Sequence, residues 1–201
     1  QVEAEVEEAD AEAAAATSRA AAVRERYDGL AQHRRLLYED GAAFSGSVAE
    51  SLRLLGLAVE GGSGEPLMAS SEGVKAFVEV ESSRDQILEW PYVRLQRRLE
   101  EQLLKHSEQL KGIVVVNAYR EQAPDQRGEA LIEALRVACE NYGYTLITGE
   151  TLFALVQRAL GGADDATLLA IRRRLMNGAG VLTVEQLLSE QPGAAKNETI
   201  F

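Results

Sequence analysis

Apolar residues recur along the first thirty positions at alternating spacings of four and three. Val2, Val6, Ala9, Ala13, Ala16, Ala20, Val23, Tyr27 and Leu30 form this seam. Such alternation keeps one stripe on one side of a slightly underwound helix. No Gly or Pro interrupts it before Gly29, and its middle is Ala, the best helix former. The pattern predicts a coiled-coil helix within residues 1–38. Each Ala buries little area, so the helix is not stable alone and must approach a partner closely. That partner is a second copy, a helix of the same polypeptide outside this sequence, or the chain's own globular part.

Past Asp40-Gly41 the rhythm changes. Val48, Leu52 and Leu55 predict a helix over about 43–56, closed by Gly56. A short strand over 57–60 runs into Gly61-Gly62-Ser63-Gly64, a turn signal. Leu67–Ser70 and Val74–Glu81 read as a hairpin around Ser71-Glu72-Gly73. In its second strand Val74, Ala76, Val78 and Val80 share one face, and Lys75, Phe77, Glu79 and Glu81 the other. A long helix is expected over about 84–110, kinked or restarted at Pro91. Gly112–Ala118 is a continuous apolar run, as in a strand covered on both faces. A polar loop at 119–127, a helix at 128–142, a strand at 144–148 and a helix at 149–160 follow. Two short helices near 164–176 and 183–190 close the chain, and a disordered tail is expected after Pro192. The order α-β-β-β-α-β-α-β-α is that of an α/β fold with a mixed central sheet flanked by helices. Three segments result: 1–38, 39–162 and 163–201.

Composition narrows the class. Hydrophobic content of 46% beside 26% charged residues belongs to a globular chain, and 5% aromatics to a core of aliphatic residues. Cys139 is the only cysteine, so no intrachain disulfide forms and a reducing, cytoplasmic setting is expected. It shares a helical face with Ile132 and Leu135, as a core thiol would. No apolar run approaches the roughly 18 residues of a membrane span. The N-terminus is acidic and Ala-rich, without a basic-then-apolar leader, and its start at Gln1 is expected of a fragment or processed product.

Net charge is −11, of which residues 1–35 contribute −3. Nucleic acid is repelled at long range by such a chain. Arg94, Arg98 and Lys105 lie near one helical face among Glu100, Glu101 and Glu108, and are expected to be solvated. The first helix is polarised: Glu3, Glu5, Glu7, Glu8, Asp10 and Glu12 precede Arg19, Arg24, Arg26, Arg34 and Arg35. That order suits the helix dipole. It also suits two copies running antiparallel, whereas a parallel in-register pair stacks like charges.

The segments SVAESLRLLGLAVE, KAFVEVESS, QILEW, GIVVVNAYR and YTLITGETLFALV, in this order, resemble the restriction-endonuclease-like PD-(D/E)xK nuclease superfamily over about residues 40–160. The likeness is to its small prokaryotic branch attached to coiled coils or NTPase modules. The resemblance implies carboxylates holding Mg²⁺ and a Lys beside the attacking water: an acid in the first helix, an Asp opening the hairpin, Glu-x-Lys on the next strand. Here Glu79 stands at the Glu position, but Glu81 replaces the Lys. The hairpin opens Glu65-Pro66-Leu67-Met68 without an Asp, and Phe44-Ser45-Gly46 stands where the helix acid belongs, with Glu50 a turn or two later. Gln86 is one further matching position.

Two readings compete. In one the site has decayed, no cofactor is held, and the fold serves as an assembly or interaction module through its helix, with a homo-oligomer or another part of the polypeptide as partner. In the other, Glu65, Glu79 and Glu81 form a variant Mg²⁺ site assisted by Gln86, and the protein is a metal-dependent nuclease. Glu79 and Glu81 share a strand face about 7 Å apart, close enough to share an ion. A third reading is a sensor that binds a nucleotide or nucleic-acid end without cutting it. His33 and His106, without acidic or Cys partners at ligand spacing, are expected at the surface. No P-loop, dinucleotide loop or Ser-His-Asp grouping is visible.

Overall fold

The computed structural model describes residues 2–62 and 65–189, with the backbone alone for 2–5, 8, 9 and 65. Ser63-Gly64 of the glycine turn, the tail after Pro192 and the side chains of Val2, Ala9 and Glu65 lie outside the described residues. The elements are α1 (Val2–His33), α2 (Arg35–Tyr38), α3 (Gly41–Leu54), β1 (Ala58–Gly62), β2 (Glu65–Ser71), β3 (Val74–Ser82) and α4 (Trp90–His106). They continue with β4 (Lys111–Asn117), α5 (Glu133–Asn141), β5 (Thr145–Thr148), α6 (Gly149–Leu160), α7 (Asp165–Asn177), β6 (Gly180–Val181) and α8 (Val184–Leu188). This is an α/β fold with a six-stranded mixed sheet, flanked by helices and preceded by a long helix.

The strands lie in the order β1-β2-β3-β4-β5-β6. β1, β2 and β3 are an antiparallel meander, and β3 through β6 are parallel. Alternation divides the apolar side chains between two cores. Ala76, Val78, Ile113, Val115 and Ile147 pack under α3, α6 and α7, whereas Phe77, Val114, Val116 and Leu146 pack under α4 and α5. Ile171, Leu175 and Met176 of α7 and Leu187 of α8 belong to the first core, so the segment after residue 162 shares the main hydrophobic layer. β4 is buried at every position from Gly112 to Asn117, which is why its sequence shows no alternation.

The long helix expected over 84–110 is shorter than the pattern implied. Pro91 opens α4 rather than kinking it, because its missing N–H is one a first turn leaves unpaired. Before it the chain is extended: Ile87 pairs with Leu131 in an isolated bridge, with Ile87 N–H donating to Ala130 O at 3.0 Å. That bridge also delays α5 to Glu133, five residues later than the periodicity predicts. α4 ends at His106 because Ser107 turns left-handed, with φ of 53°.

α1 is attached to the body only through its last turns. Gly29 lets α6 approach, since a Cβ there would lie 3.2 Å from Leu160 Cδ1. His33, expected at the surface, is instead buried against α3. Its Nδ1 lies 2.9 Å from Ser51 Oγ, and that hydroxyl donates to Ser47 O at 2.7 Å. With the hydroxyl proton committed there, Nδ1–H must be the donor, which fixes the neutral tautomer. Burial lowers the His33 pKa, and Glu50 nearby only partly opposes this.

A group that is harder to protonate folded than unfolded contributes stability above its unfolded pKa and loses it as pH falls. Urea unfolding should therefore show stability declining from pH 7 to pH 5, and a His33→Gln variant should show less of that decline. An equal decline in the variant would mean other groups control it.

Candidate functional site

β3 carries Glu79 and Glu81 to the face of the sheet that α4 covers. Glu79 is 6% exposed. It accepts from Arg94 Nε at 2.6 Å and from Arg98 Nη1 at 2.9 Å. Glu81, half-buried, accepts from Arg94 Nη2 at 2.5 Å. The helix makes this possible: Arg94 and Arg98 are one turn apart, so both project from α4 onto the same strand. Burial disfavours the charge on Arg94, but its hydrogen bonds to Glu79 and Glu81 outweigh this and raise its pKa above the ordinary arginine value. Arg94 is exposed, as expected of a solvated helix face, and Arg98 partly so, but both are also ion-paired counter-charges. Arg98 also lies over the Phe77 ring at 5.9 Å.

The other expected site residues lie elsewhere. Gln86 donates to Leu131 O at 3.1 Å and so ties down the bridge before α4. Glu50 stands on the exposed side of α3, accepting from Gln32 of α1 at 3.3 Å. A cleft of about 380 Å³ opens between the first turn of α3 (Gly41, Phe44, Ser45), Pro66–Leu67 and β3. The side chains that β3 turns toward α3 are Val78 and Val80. Its carboxylates lie on the α4 side, yet Glu79, Glu81 and Arg98 line the same cleft as the first turn of α3, with both carboxylates held in ion pairs. Among the described residues no three His, Cys, Asp or Glu side chains are grouped closely enough to hold a metal ion.

Periodicity overlooked Arg127, which lies in the polar loop. The connection after β4 goes to the α5 layer and the one after β5 to the α6 layer, leaving a crevice between the two carboxyl ends, where open α/β sheets commonly bind ligands. Arg127 occupies it, its side chain 5% exposed. Its guanidinium donates to Asn117 Oδ1 at 2.9 Å, Glu150 Oε1 at 3.1 Å, Gln122 O at 3.2 Å and Leu37 O. It also lies 5.8 Å from the Tyr38 ring, which Arg34 flanks at 5.9 Å. Every lobe of the guanidinium is engaged within the chain, so Arg127 clasps the crevice and leaves a cavity of only about 80 Å³ beside it. A lone arginine in a polar stretch carries no spacing signal; only the loop closure reveals it.

The comparisons with known proteins bring no relative. No protein-family model, curated protein or solved structure matches this chain. The reading therefore stands on geometry. Cys139 is fully buried and burial pushes its thiol up to about 12, so it is inert at neutral pH. Among the described residues no helix is long and apolar enough to cross a membrane.

The interaction seam is on open surface. Val6 is 54% exposed, Val23 69% and Tyr27 69%, and Ala13, Ala16 and Ala20 are exposed between them; Leu30 is half-buried where α1 meets the body. At 100° per residue, Val23 and Tyr27 stand roughly 120–160° round the helix from Gly29, so the seam faces away from the globular part. The fold-back arrangement considered from sequence is not adopted by the described residues.

Proposed function

We propose that this chain is a catalytically degenerate domain of restriction-endonuclease-like type that works as an assembly module through α1. The observation that carries this reading is the uncovered seam: a 32-residue helix, about 48 Å long, leaves its apolar stripe in solvent and touches the body only at its end. A helix of small residues gains little from its own side chains, so a stripe of this regularity calls for a second helix. Two further observations support it. The order of helices and strands, a meander followed by parallel crossovers, is the one the resemblance implies. The carboxylates of β3 face two guanidinium groups, which repel a divalent cation from the place where the resemblance would put one.

Light scattering on the intact chain tests it. A particle of at least twice the 21.8 kDa chain mass is expected. Replacing Ala13, Ala16 and Ala20 together by Glu should reduce it to monomer while the circular dichroism of the body persists. A monomer before mutation would remove the self-assembling form of the reading.

A further inference from the structure

We infer that the occupant of the α1 seam is α1 of a second copy, running antiparallel and centred between Ala13 and Ala16. The inference rests on the assembly reading above and adds the partner, its direction and its register.

Side-chain size and charge along the helix select that register together. Antiparallel pairing about this centre brings Ala13 level with Ala16 of the other copy, and Ala9 level with Ala20. It brings Val6 level with Val23, and Val2 level with Tyr27. Small residues meet small ones in the middle and larger residues meet at both ends, so the helices can approach closely at the centre without clashing outside it.

The same register brings Glu12 onto the same flank as Arg19 of the other copy, Glu5 onto that of Arg26 and Glu3 onto that of Arg24, each within about two residues of level. By symmetry each match occurs twice. Among the described residues Arg19, Arg24 and Arg26 make no ion pair within the chain; Arg19 only donates back to Ala15 O of its own helix at 3.2 Å. A parallel in-register pair would instead set the acidic halves side by side and the basic halves side by side. Each exposed pair is worth little by itself. Size matching narrows the register, and the sign of the charges decides the direction. Because these charges are exposed, the association should weaken severalfold when salt is raised to about 0.5 M.

The test uses two single-cysteine variants of the intact chain, Val6→Cys and Val23→Cys, purified separately. Cys139 is buried and does not compete for oxidant. On mixing and mild oxidation, the Val6→Cys chain should link to the Val23→Cys chain. Neither variant should link to itself when oxidised alone, because like positions are then about 25 Å apart along the helices. Self-linked Val6→Cys or Val23→Cys together with an oligomer in light scattering would overturn the antiparallel register and leave the assembly reading standing. A monomer in light scattering would overturn both. As a check independent of cysteine chemistry, Arg19→Glu with Arg24→Glu should give a folded monomer; a dimer of unchanged affinity would also overturn the inference.

Discussion

Replacing Arg127 by Ala should cost on the order of 3–4 kcal/mol in urea unfolding, a large part of the roughly 5–15 kcal/mol that holds a domain folded. Asn117 is buried, and its Oδ1 and the carbonyl of Leu37 receive two of the guanidinium's hydrogen bonds. Leaving buried acceptors unsatisfied costs about 1–3 kcal/mol each. Glu150 is 45% exposed and rehydrates when its partner goes, so it adds much less. Arg127→Lys should recover under half of the loss, because one ammonium cannot reproduce a planar fork directed at four acceptors. Since Leu37 lies in α2, next to the end of α1, amide exchange should speed up around residues 34–40 before the sheet is affected. A loss below about 1 kcal/mol would show that water replaces the guanidinium, and the clasp would lose its meaning.

Glu79→Gln should destabilise by about 2 kcal/mol, and the same variant separates the two readings of the third strand. Removing one partner of a buried ion pair costs about 3–5 kcal/mol. Here that range is reduced because the Arg94 and Arg98 side chains are 43% and 30% exposed and regain water. Glutamine keeps the shape and one acceptor oxygen, so the change isolates charge. If the carboxylate serves only these arginines, calorimetric titration with Mg²⁺ or Mn²⁺ gives no saturable binding in either protein. If β3 holds a metal, the unmutated chain binds the ion and Glu79→Gln abolishes it, with stability little changed in the absence of metal. Saturable binding of that kind would favour the nuclease reading over the assembly module.

Much of the backbone was legible because its signals are local. β4 announced itself through GIVVVN, and the alternation of β3 assigned Val78 and Val80 to one layer and Phe77, Glu79 and Glu81 to the other. α6 was legible to the residue, since Thr148 caps it by accepting from Thr151 N–H at 3.1 Å and Gly161 follows it. β6, with two residues, is too short to show any period, and α2 is a single turn. The stretch 84–89 read as helix because Ile87 and Leu88 continue the apolar spacing of α4, while its real determinant is a bridge to Leu131, distant in sequence. The direction of β3's carboxylates was visible; what they face was not, because α4 had to be docked before Arg94 and Arg98 could reach them.

The amino-acid sequence by itself determined the periodic elements, the division of β3 into two faces, the seam of α1 and its opposed charges, because each depends only on spacing along one strand or helix. Tertiary structure alone decided the burial of His33 on Ser51, the pairing of Glu79 and Glu81 with arginines, the clasp of Arg127, and the exposure of the α1 seam. Those features join positions far apart in the chain. Their energies arise from removing water between groups that meet only once the sheet and its two helical layers have closed.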